Sequence, residues 1–340
     1  MNQAQLLDCT LRDGAYLIDK QFGDAAIHGI IRGLVAAKVD YVEMGFFQDE
    51  GFGEGKTVFR NSADAARFVP RDRGTSEFAV LVDYSRFDIR NLDPRREDSI
   101  DAIRACFFKH ERDGILDYCR RIRELGYKLF VQPVDILGYS HGELLELIRW
   151  VNTVEPYCVS IVDTFGSMYE EDLQCVYSLI DRNLAPNVKI GFHSHNNMQL
   201  SNALSQAFLR MAKGKRQVIV DGTLSGMGRG AGNAPTELVA RYMVSRLGCS
   251  YHMDALLELI DTYMDSFRSR CSWGYTTPYF LGGCYSAHAN NITYLTGKQG
   301  IRSRDICSIL SRIDPSDRKR YDYALLERTY QEYMESDLEK

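Results

Sequence analysis

The sequence lacks the features that mark secreted, membrane-spanning and nucleic-acid-binding proteins. Its nine cysteines are scattered and none forms a CxxC pair, which favours reduced thiols in a cytoplasmic protein over disulfides or a thiolate zinc site. No apolar run approaches the roughly 20 residues that cross a bilayer, and the start MNQAQLLDCT has no signal-peptide pattern. The net charge of -5 argues against nucleic acid, because phosphate binding needs a basic surface. We therefore expect a cytoplasmic protein without a membrane or nucleic-acid partner.

What the sequence does contain is an alternation of short apolar runs with longer amphipathic segments, such as 23–38, 110–126 and 140–156. Eight strands alternating with helices predict an α/β fold, a (β/α)8 TIM barrel over residues 1–250. An open doubly wound sheet is the alternative, but its glycine-rich fingerprint is absent from the first turn, TLRDGAY. The candidate strands are 5–14, 39–47, 77–84, 99–109, 128–136, 157–166, 188–195 and 217–226.

The alternation stops after residue 250, and residues 251–340 read as a helical C-terminal region. The aromatic, glycine-containing stretch 273–288 is expected to be a connection between its first two helices. No linker rich in proline, serine or glycine separates this region from the barrel. We expect it to pack on the barrel as a lid or an oligomerisation surface, with a homodimer as one outcome.

Two histidines, His193 and His195, stand two apart at the exit of an apolar strand. Because strand side chains alternate between faces, both imidazoles point the same way and can converge on one ion. The alternative is a pair of hydrogen-bonded structural histidines.

Polar residues also end the other predicted strands, where barrel enzymes place their active sites. An oxygen-rich shell with two imidazoles suits Mn, Mg or Zn, and Asp13 is the predicted carboxylate ligand. Strands one and seven are expected to lie nearly opposite each other, so that both reach a central ion. The candidate substrate-binding residues among the strand ends are Arg12, Glu43, Lys109, Gln132 and Thr164.

The loop after the eighth strand, DGTLSGMGRGAGNAP (221–235), is rich in glycine. Glycine permits close backbone approach to a ligand, and this position in a barrel commonly binds phosphate. A phosphate cradle and a part in the metal site both remain open.

Three motifs together carry a resemblance to a known family. LDCTLRDG, GFHSHNN and DGTLSGMGRGAGNAP, in this order, resemble the metal-dependent pyruvate aldolase and acyl-CoA lyase/synthase superfamily of HMG-CoA lyase-like TIM barrels. GRGAGNAP and the tail are most similar to the 4-hydroxy-2-oxovalerate aldolase branch. The resemblance implies a carbon–carbon lyase of the class II type, which joins or splits pyruvate or a related 2-oxo acid and an aldehyde through a metal-stabilised enolate.

The resemblance also implies roles for single residues. Asp13, His193 and His195 would bind the divalent metal, with manganese favoured, and Asn233 would complete the site. Arg12 would hold the enolate oxygen and the carboxylate. From the tail, Tyr285 would approach the substrate and His288 would help to roof the site. An aldehyde dehydrogenase partner is implied by family analogy alone.

One departure from the aldolase pattern concerns the acid/base. The branch has a histidine two residues after RDG, whereas this chain has Tyr16. Either Tyr16 acts with a depressed pKa, or His288, His141 or a metal-bound hydroxide takes over. Three alternatives stay open: an acyl-CoA-dependent condensing enzyme of the isopropylmalate or homocitrate synthase type, a non-catalytic metal- or sugar-binding barrel, and an aldolase using Lys109 as a Schiff base.

Overall fold

Eight parallel strands close into a barrel in the computed structural model, which describes residues 4–338. Closure comes from the first strand, which pairs with both the second and the last. A further strand, β3 (Val58–Phe59), pairs only with β2 and lies outside the barrel wall. The barrel strands are β1 (Ala4–Asp8), β2 (Tyr41–Phe47), β4 (Glu77–Asp83), β5 (Ala102–Phe107), β6 (Lys128–Pro133), β7 (Cys158–Asp163), β8 (Lys189–Ser194) and β9 (Val218–Gly222). The TIM barrel is confirmed, and each of the eight predicted segments contains a barrel strand. The first and last strands end at Asp8 and Gly222, before the predicted ends at residues 14 and 226.

Helices cover the outside of the barrel, with one gap in the usual alternation. The connection from β4 to β5 contains only a 3-10 turn, Ile89–Asn91, in place of an α-helix. Elsewhere the caps follow the sequence closely: Ser140 and Glu143 form a reciprocal capping box at the start of α4. The barrel helices are α1 (Asp24–Ala36), α2 (Ser62–Ala66), α3 (Ile115–Glu124), α4 (His141–Val154), α5 (Glu170–Asn183), α6 (Ser201–Ala212) and α7 (Thr236–Leu247).

The barrel interior consists of an apolar layer below a polar one. Because side chains alternate between faces, a residue two positions further along a strand occupies the next layer on the same face. The polar layer lies nearer the carboxyl ends of the strands, which form the mouth of the barrel. The apolar layer includes Leu7, Tyr41, Ala79, Ala102, Phe130, Cys158 and Ile219, and the polar layer includes Glu43, Arg104, Gln132, Ser160 and Asp221.

The C-terminal region is helical, as expected, but the stretch 273–288 is not merely a connection. It contains α10, which begins after Thr276, whose side chain accepts a hydrogen bond from the Tyr279 amide, with Pro278 in the first turn. The first helix continues from α8 through a π turn, Ile260–Met264, into α9. The helices of this region are α8 (Met253–Leu259), α9 (Asp265–Arg268), α10 (Thr277–Cys284), α11 (Ala289–Thr296), α12 (Ser303–Arg312), α13 (Pro315–Arg318) and α14 (Tyr323–Leu338).

The C-terminal helices pack on the barrel, as predicted, in two ways. Leu256, Leu259 and Phe267 of α8–α9 join the main core, whereas residues from Ala287 onward build a second apolar cluster. The predicted domain boundary at residue 250 stays a prediction. No described helix is both long and apolar enough to span a membrane.

The second cluster sits against the mouth of the barrel. A Cβ added to Gly283 of α10 would lie 3.0 Å from the Met198 side chain and 3.1 Å from the Gly166 carbonyl. Both residues belong to loops that follow barrel strands. The Lys319 ammonium also pairs with Asp135 at 2.6 Å. The tail thus covers the end of the barrel at which the polar layer lies.

Candidate metal centre and active site

The two histidines converge on the first strand's aspartate. After β1 the chain turns so that the Asp13 amide donates to the Cys9 carbonyl at 2.7 Å, which brings the carboxylate over the mouth. Asp13 Oδ2 lies 3.0 Å from His193 Nε2 and 3.4 Å from His195 Nε2. Asp13 is buried, with only 1% of its surface exposed. Three potential ligand atoms from two strands therefore meet at one point.

The strands that carry these residues do not face each other across the barrel. The sequence-based expectation that strands one and seven lie nearly opposite is wrong. The strand order runs β1–β9–β8, so only β9 separates the two. Their strand ends are close because of this near-adjacency, and the turn after β1 covers the remaining distance.

Each imidazole is held from behind, which determines its tautomer. His195 Nδ1 lies 2.9 Å from the Asp163 carbonyl oxygen, which can only accept, so Nδ1 carries the proton. His193 Nδ1 lies 3.0 Å from Asp221 Oδ2. Both Nε2 atoms therefore face Asp13, and although burial lowers the pKa of His193, its hydrogen bonds with Asp13 and Asp221 raise that pKa overall. A cation bound in place of an Nε2 proton would meet the lone pair of that nitrogen. A hydrogen-bonded back nitrogen is the usual second contact of a histidine that ligates a metal.

Two buried oxygens at this point have no hydrogen bond of good geometry. Asp13 Oδ2 and Asn233 Oδ1 are both buried without an aligned hydrogen bond within residues 4–338. Asn233 is fixed by its other amide atom, Nδ2, which donates to the Met227 carbonyl at 3.1 Å, and its backbone forms a bridge with His195. Unsatisfied buried acceptors are costly unless a cation or donor compensates them. Two imidazole nitrogens and two such oxygens fit a divalent cation.

Sequence reasoning missed Cys9 as a neighbour of this point. Its sulfur, an Asp13 carboxylate oxygen and a His193 ring nitrogen all lie within 4.8 Å of one another. The thiol donates to the Gly222 carbonyl at 3.3 Å, and burial raises its pKa well above the ordinary value. Cys9 is therefore a neutral thiol in this structure. Only its position directly after β1 and four residues before Asp13 could have pointed to it.

A chain of buried charges connects Asp13 with the back of His193. Arg12 lies 3.4 Å from Asp13 and 2.7 Å from Glu43, and Arg104 lies 3.0 Å from Glu43 and also pairs with Asp221. Burial alone would raise the pKa of Asp13, but Arg12 and the two histidines hold that pKa well below its usual value. We call Asp13, Arg12, Glu43, Arg104 and Asp221 the charge network. Its three carboxylates and two guanidiniums leave one negative charge uncompensated.

Arg104 is the network member that sequence reasoning missed. It is fully buried inside the barrel, within an otherwise apolar strand. With the Gln132 amide oxygen assigned to face it, that oxygen accepts from Arg104 Nη2 at 3.1 Å and from Ser160 at 2.7 Å. Gln132, a predicted substrate-binding residue, is thus placed next to the network. The sequence did contain a signal for Arg104. It is the one charged residue in this strand, and it lies two positions after Ala102, so both side chains point into the barrel.

The glycines of the 221–235 loop serve the folding of the loop itself. Gly232 has a φ of +83°, and a Cβ there would lie 2.0 Å from the Gly226 carbonyl. A Cβ at Gly228 would lie 2.2 Å from the Asn233 side chain. The loop is joined to the histidine segment by the Asn196 amide, which donates to the Gly232 carbonyl at 2.8 Å. These contacts account for the glycines, because they shape the loop that holds Asn233. A phosphate cradle is not needed to explain them.

Tyr16 lies at the mouth above the network. Its ring packs edge-on against Phe46, with 5.3 Å between centroids, and the Arg229 guanidinium lies 3.9 Å from its centre. No residue of the described chain hydrogen-bonds its hydroxyl. Burial raises its pKa against the opposing effect of Arg229 and Arg12. The phenol is therefore a proton donor near neutral pH, and this arrangement does not favour the depressed pKa considered for it.

Several other predicted residues are engaged elsewhere. The Lys109 ammonium binds Glu143 at 2.7 Å and the Gly138 carbonyl at 3.0 Å, on the outer side of the mouth. The Tyr285 hydroxyl contacts Ser311 at 2.8 Å and Cys307 at 3.0 Å, inside the tail. Thr164 accepts from the Asp135 amide at 2.7 Å. Their substrate roles stay predictions that this arrangement does not favour.

Of the two histidines considered as acid/base, His288 is the one on which Arg229 of the barrel mouth acts. It caps α11 by accepting the Asn290 amide at 3.1 Å, and burial together with Arg229 lowers its pKa to about 4. A neutral imidazole with an occupied Nδ1 can only donate from Nε2. His141 instead contacts Cys175 at 3.4 Å between α4 and α5.

The comparison with known families identifies the architecture. The family model described as HMGL-like matches residues 3–263. The chain belongs to the HMGL-like family. Two curated relatives are each 28% identical: 4-hydroxy-2-oxovalerate aldolase 2 of Salinispora arenicola, over 91% of this chain and 88% of its own, and an oxaloacetate decarboxylase of Mycobacterium tuberculosis, over 71% and 70%.

A solved structure has the same fold as this chain. The N-terminal domain of a candidate aldolase from Bacteroides vulgatus superimposes with a TM-score of 0.74, at 22% identity, over 87% of this chain and 97% of its own. That likeness shows the fold. The predicted family and the predicted enzyme class, a carbon–carbon lyase, are confirmed. The homodimer and the dehydrogenase partner stay predictions.

Proposed function

We propose that this HMGL-like protein is a divalent-metal-dependent aldolase that uses pyruvate or a related 2-oxo acid and an aldehyde. The observation that carries the proposal is the meeting of His193 Nε2 and His195 Nε2 at Asp13 Oδ2, each ring fixed from behind. A curated relative of similar length is a 4-hydroxy-2-oxovalerate aldolase.

The residues that would hold the ion are Asp13, His193 and His195, with Asn233 Oδ1 as the fourth candidate. When bound, a divalent cation supplies Lewis acidity that polarises the keto group and favours the enolate form of the oxo acid. Mixed nitrogen and oxygen donors suit Mn, Mg or Zn. Among these, manganese is the metal that the family resemblance favours. The charge network carries one net negative charge, so a divalent cation and one 2-oxo acid monoanion together bring the sum to zero.

Arg12 is the residue placed to neutralise charge on the substrate. Glu43 and Asp13 fix its guanidinium from two sides, at 2.7 and 3.4 Å, and only 7% of the Arg12 surface is exposed. A fixed, buried cation stabilises negative charge that develops on an oxygen without reorganising at the moment of reaction. Removing one such group typically costs roughly 10²–10³ in rate.

Tyr16 favours a second candidate function in the same site. Its raised pKa makes the phenol a proton donor, whereas aldol cleavage needs a base for the substrate hydroxyl. Decarboxylation of a 2-oxo diacid needs only stabilisation of the resulting enolate and its protonation. The Mycobacterium tuberculosis relative is an oxaloacetate decarboxylase. Oxaloacetate decarboxylation is therefore the second candidate.

Exchange of the pyruvate methyl protons for deuterium, followed by NMR, tests the part that both candidates share. We expect exchange with Mn²⁺, its loss after chelation, and its return when Mn²⁺ is added back. Asp13→Asn should lower the exchange rate at least 100-fold. Exchange that survives chelation would contradict the proposal. Loss of exchange on treatment with borohydride and pyruvate would also contradict it, because borohydride traps a lysine Schiff base. Release of free thiol from acetyl-CoA with a 2-oxo acid would instead support the condensing-enzyme alternative.

Comparison of two substrates separates the candidates. An aldolase releases pyruvate faster from 4-hydroxy-2-oxopentanoate than from oxaloacetate, and a decarboxylase does the reverse. Tyr16→His, which introduces a side chain able to act as a base near neutral pH, should raise the ratio of aldol cleavage to decarboxylation. An unchanged ratio would show that residue 16 does not select between the two reactions.

A further inference from the structure

Two cations without a carboxylate partner flank an aromatic pair at the barrel mouth. The Arg229 guanidinium lies over the Tyr16 ring at 3.9 Å, Tyr16 packs against Phe46, and the Lys20 ammonium lies 5.2 Å from the centre of the Phe46 ring. We call Arg229, Tyr16, Phe46 and Lys20 the cationic rim. The loop after β9 supplies Arg229, whereas the segment after β1 supplies Tyr16 and Lys20.

The two rim cations differ from the arginines below them. Arg12 and Arg104 are each bound to two carboxylates. Lys20 donates to the neutral Gln48 amide oxygen at 2.9 Å, and Arg229 has only its cation–π contact. Across residues 4–338, no carboxylate lies within ion-pair distance of either group. This is unusual in a chain whose net charge is -5.

The charged groups around the rim act on one another. Burial and the nearby Arg86 lower the pKa of Lys20, Asp19 raises it, and Arg229 adds a smaller lowering. Arg229 also contributes to the lowered pKa of His288, on the tail side of the mouth. A half-buried cation that repels its neighbours is costly unless an anion compensates it.

The Lys20 end of the rim also has space beside it. A cleft of about 490 Å³ is lined by Lys20 together with Gln48, Glu50, Gly51, Ser85 and Arg86. The cleft contains Asp49 as well, but one Asp49 oxygen accepts the Asp88 amide at 2.8 Å and the other accepts from Asn91 at 2.9 Å. The hydrogen bonds of this carboxylate are thus directed to the outer loop.

We propose that the electrophile of the reaction carries an anionic group, a carboxylate or a phosphate, which binds Arg229 with support from Lys20. This inference rests on the proposed function. In that proposal the charges of the charge network, one divalent cation and the 2-oxo acid already add up to zero. The positive charge of the cationic rim is therefore left for the second substrate. Arginine suits this role because its planar fork binds carboxylate and phosphate in a bidentate manner.

Matched pairs of aldehydes test the proposal in the aldol-forming direction with pyruvate. The phosphate arm compares D-glyceraldehyde 3-phosphate with D-glyceraldehyde, and the carboxylate arm compares succinate semialdehyde with propionaldehyde. In one of the two arms, we expect kcat/KM to be at least tenfold higher for the charged aldehyde than for the neutral one. The arm that shows this preference identifies the anion. Arg229→Met should lower this preference at least tenfold, and Arg229→Lys should keep part of it. Arg96→Ala, which removes an exposed charge paired with Asp98, is the control for net charge and should keep the preference.

Two outcomes would overturn the inference while pyruvate exchange remains intact. One is equal kcat/KM for charged and neutral aldehydes in the wild type. The other is an equal loss of kcat/KM for charged and neutral aldehydes in Arg229→Met. That result would show that Arg229 only holds the Tyr16 ring in place. Absence of pyruvate exchange in the wild type would instead contradict the proposed function.

Calorimetry provides a readout that does not need turnover. Glycerol 3-phosphate and succinate should each be tested for binding to the wild type, with glycerol as the neutral control. The anion selected by the kinetic arms should bind at least tenfold more weakly to Arg229→Met. Equal binding to both proteins would count against the anion site.

Discussion

At the residue scale, the site depends on groups that do not face the proposed ion. Asp221 holds the Nδ1 side of His193 while it pairs with the buried Arg104, and the Asp163 carbonyl holds His195. Such contacts fix ring orientation and raise ligand basicity. The ligand residues alone would not produce this geometry, because an unrestrained imidazole can rotate or change tautomer.

Asp221→Asn tests this positioning role. The amide cannot stabilise Nδ1–H as the carboxylate does, so we expect the Kd for Mn²⁺ to rise about 10–100-fold in calorimetry. Asp181→Asn, which breaks a similar pair with the buried Arg216 on the outside of the barrel, is the matched control. If both variants bind Mn²⁺ like the wild type, Asp221 does not position His193.

Asp8 gives a prediction for the dependence of stability on pH. Burial raises its pKa from 3.8 to about 6, although Thr236 and the Thr10 amide donate to it. The folded state therefore holds this proton more tightly than the unfolded state. The stability contributed by the proton is fully present below pH 3.8 and is lost as the pH rises to about 6.

Asp8→Asn removes this titration. Relative to the wild type, the variant should gain about 2 kcal/mol in unfolding free energy between pH 4 and pH 7. Urea unfolding at several pH values measures the difference between the two proteins. A difference that stays constant over this range would show that Asp8 titrates in the folded protein as it does in the unfolded chain.

At the element scale, the loop after β9 is shaped by backbone contacts that only glycine permits. Gly232 and Gly248 both have positive φ, at +83° and +72°, but a Cβ at Gly232 would meet the Gly226 carbonyl, and one at Gly248 would meet nothing within 4 Å. Substituting the two glycines therefore separates the stability lost through the positive φ from the stability lost through the steric clash.

Gly248→Ala should lower the unfolding free energy by about 1–2 kcal/mol through its dihedral alone. Gly232→Ala should lower it by more and should also weaken Mn²⁺ binding, because the displaced backbone carries the neighbouring Asn233. Urea unfolding and Mn²⁺ calorimetry measure the two effects. Equal stability losses with unchanged Mn²⁺ binding would show that the loop does not position Asn233.

The helix α10 shows where sequence interpretation fails at this scale. Residues 273–288 contain glycines and aromatics that are typical of a connection, yet Thr276 and Pro278 provide a start signal for a helix. Gly282 and Gly283 are disfavoured inside a helix but are buried here. Tertiary packing against Met198 and Gly166 outweighs that local preference.

Gly283→Leu should displace α10 from the barrel mouth, since no space exists for a side chain there. We expect a lower kcat/KM for the aldol reaction and faster proteolysis of the tail, with Mn²⁺ affinity retained. Gly142→Leu on α4, where a Cβ would meet nothing within 4 Å, is the control. Wild-type proteolysis and turnover in Gly283→Leu would contradict the close packing of α10.

At the scale of the whole molecule, the barrel was predictable because its periodicity repeats eight times. Asp13, His193 and His195 could be proposed from the sequence because each stands in a motif near a strand end, whereas Asn233 was proposed from the family resemblance alone. Arg104 and Cys9 were not found, because their importance comes from which inward-facing positions meet in space. The separation of β1 and β8 by a single strand likewise follows from barrel closure, which no local segment encodes.

The charge network connects these scales. Residues from β2, β5, β9 and the turn after β1 form one continuous chain of buried ion pairs that begins at the proposed ligand Asp13. Removing one partner of a buried ion pair leaves the other uncompensated and is strongly destabilising. The barrel therefore stabilises this arrangement, and the arrangement in turn presents an unbalanced negative charge to a cation.

Calorimetric titration of the chelator-treated protein with Mn²⁺ tests the central claim most directly. The account predicts one Mn²⁺ bound per chain in the wild type, and at least 100-fold weaker binding in Asp13→Ala and in His193→Ala. Wild-type affinity in both variants, or no saturable binding of Mn²⁺, Mg²⁺ or Zn²⁺ by the wild type, would contradict it.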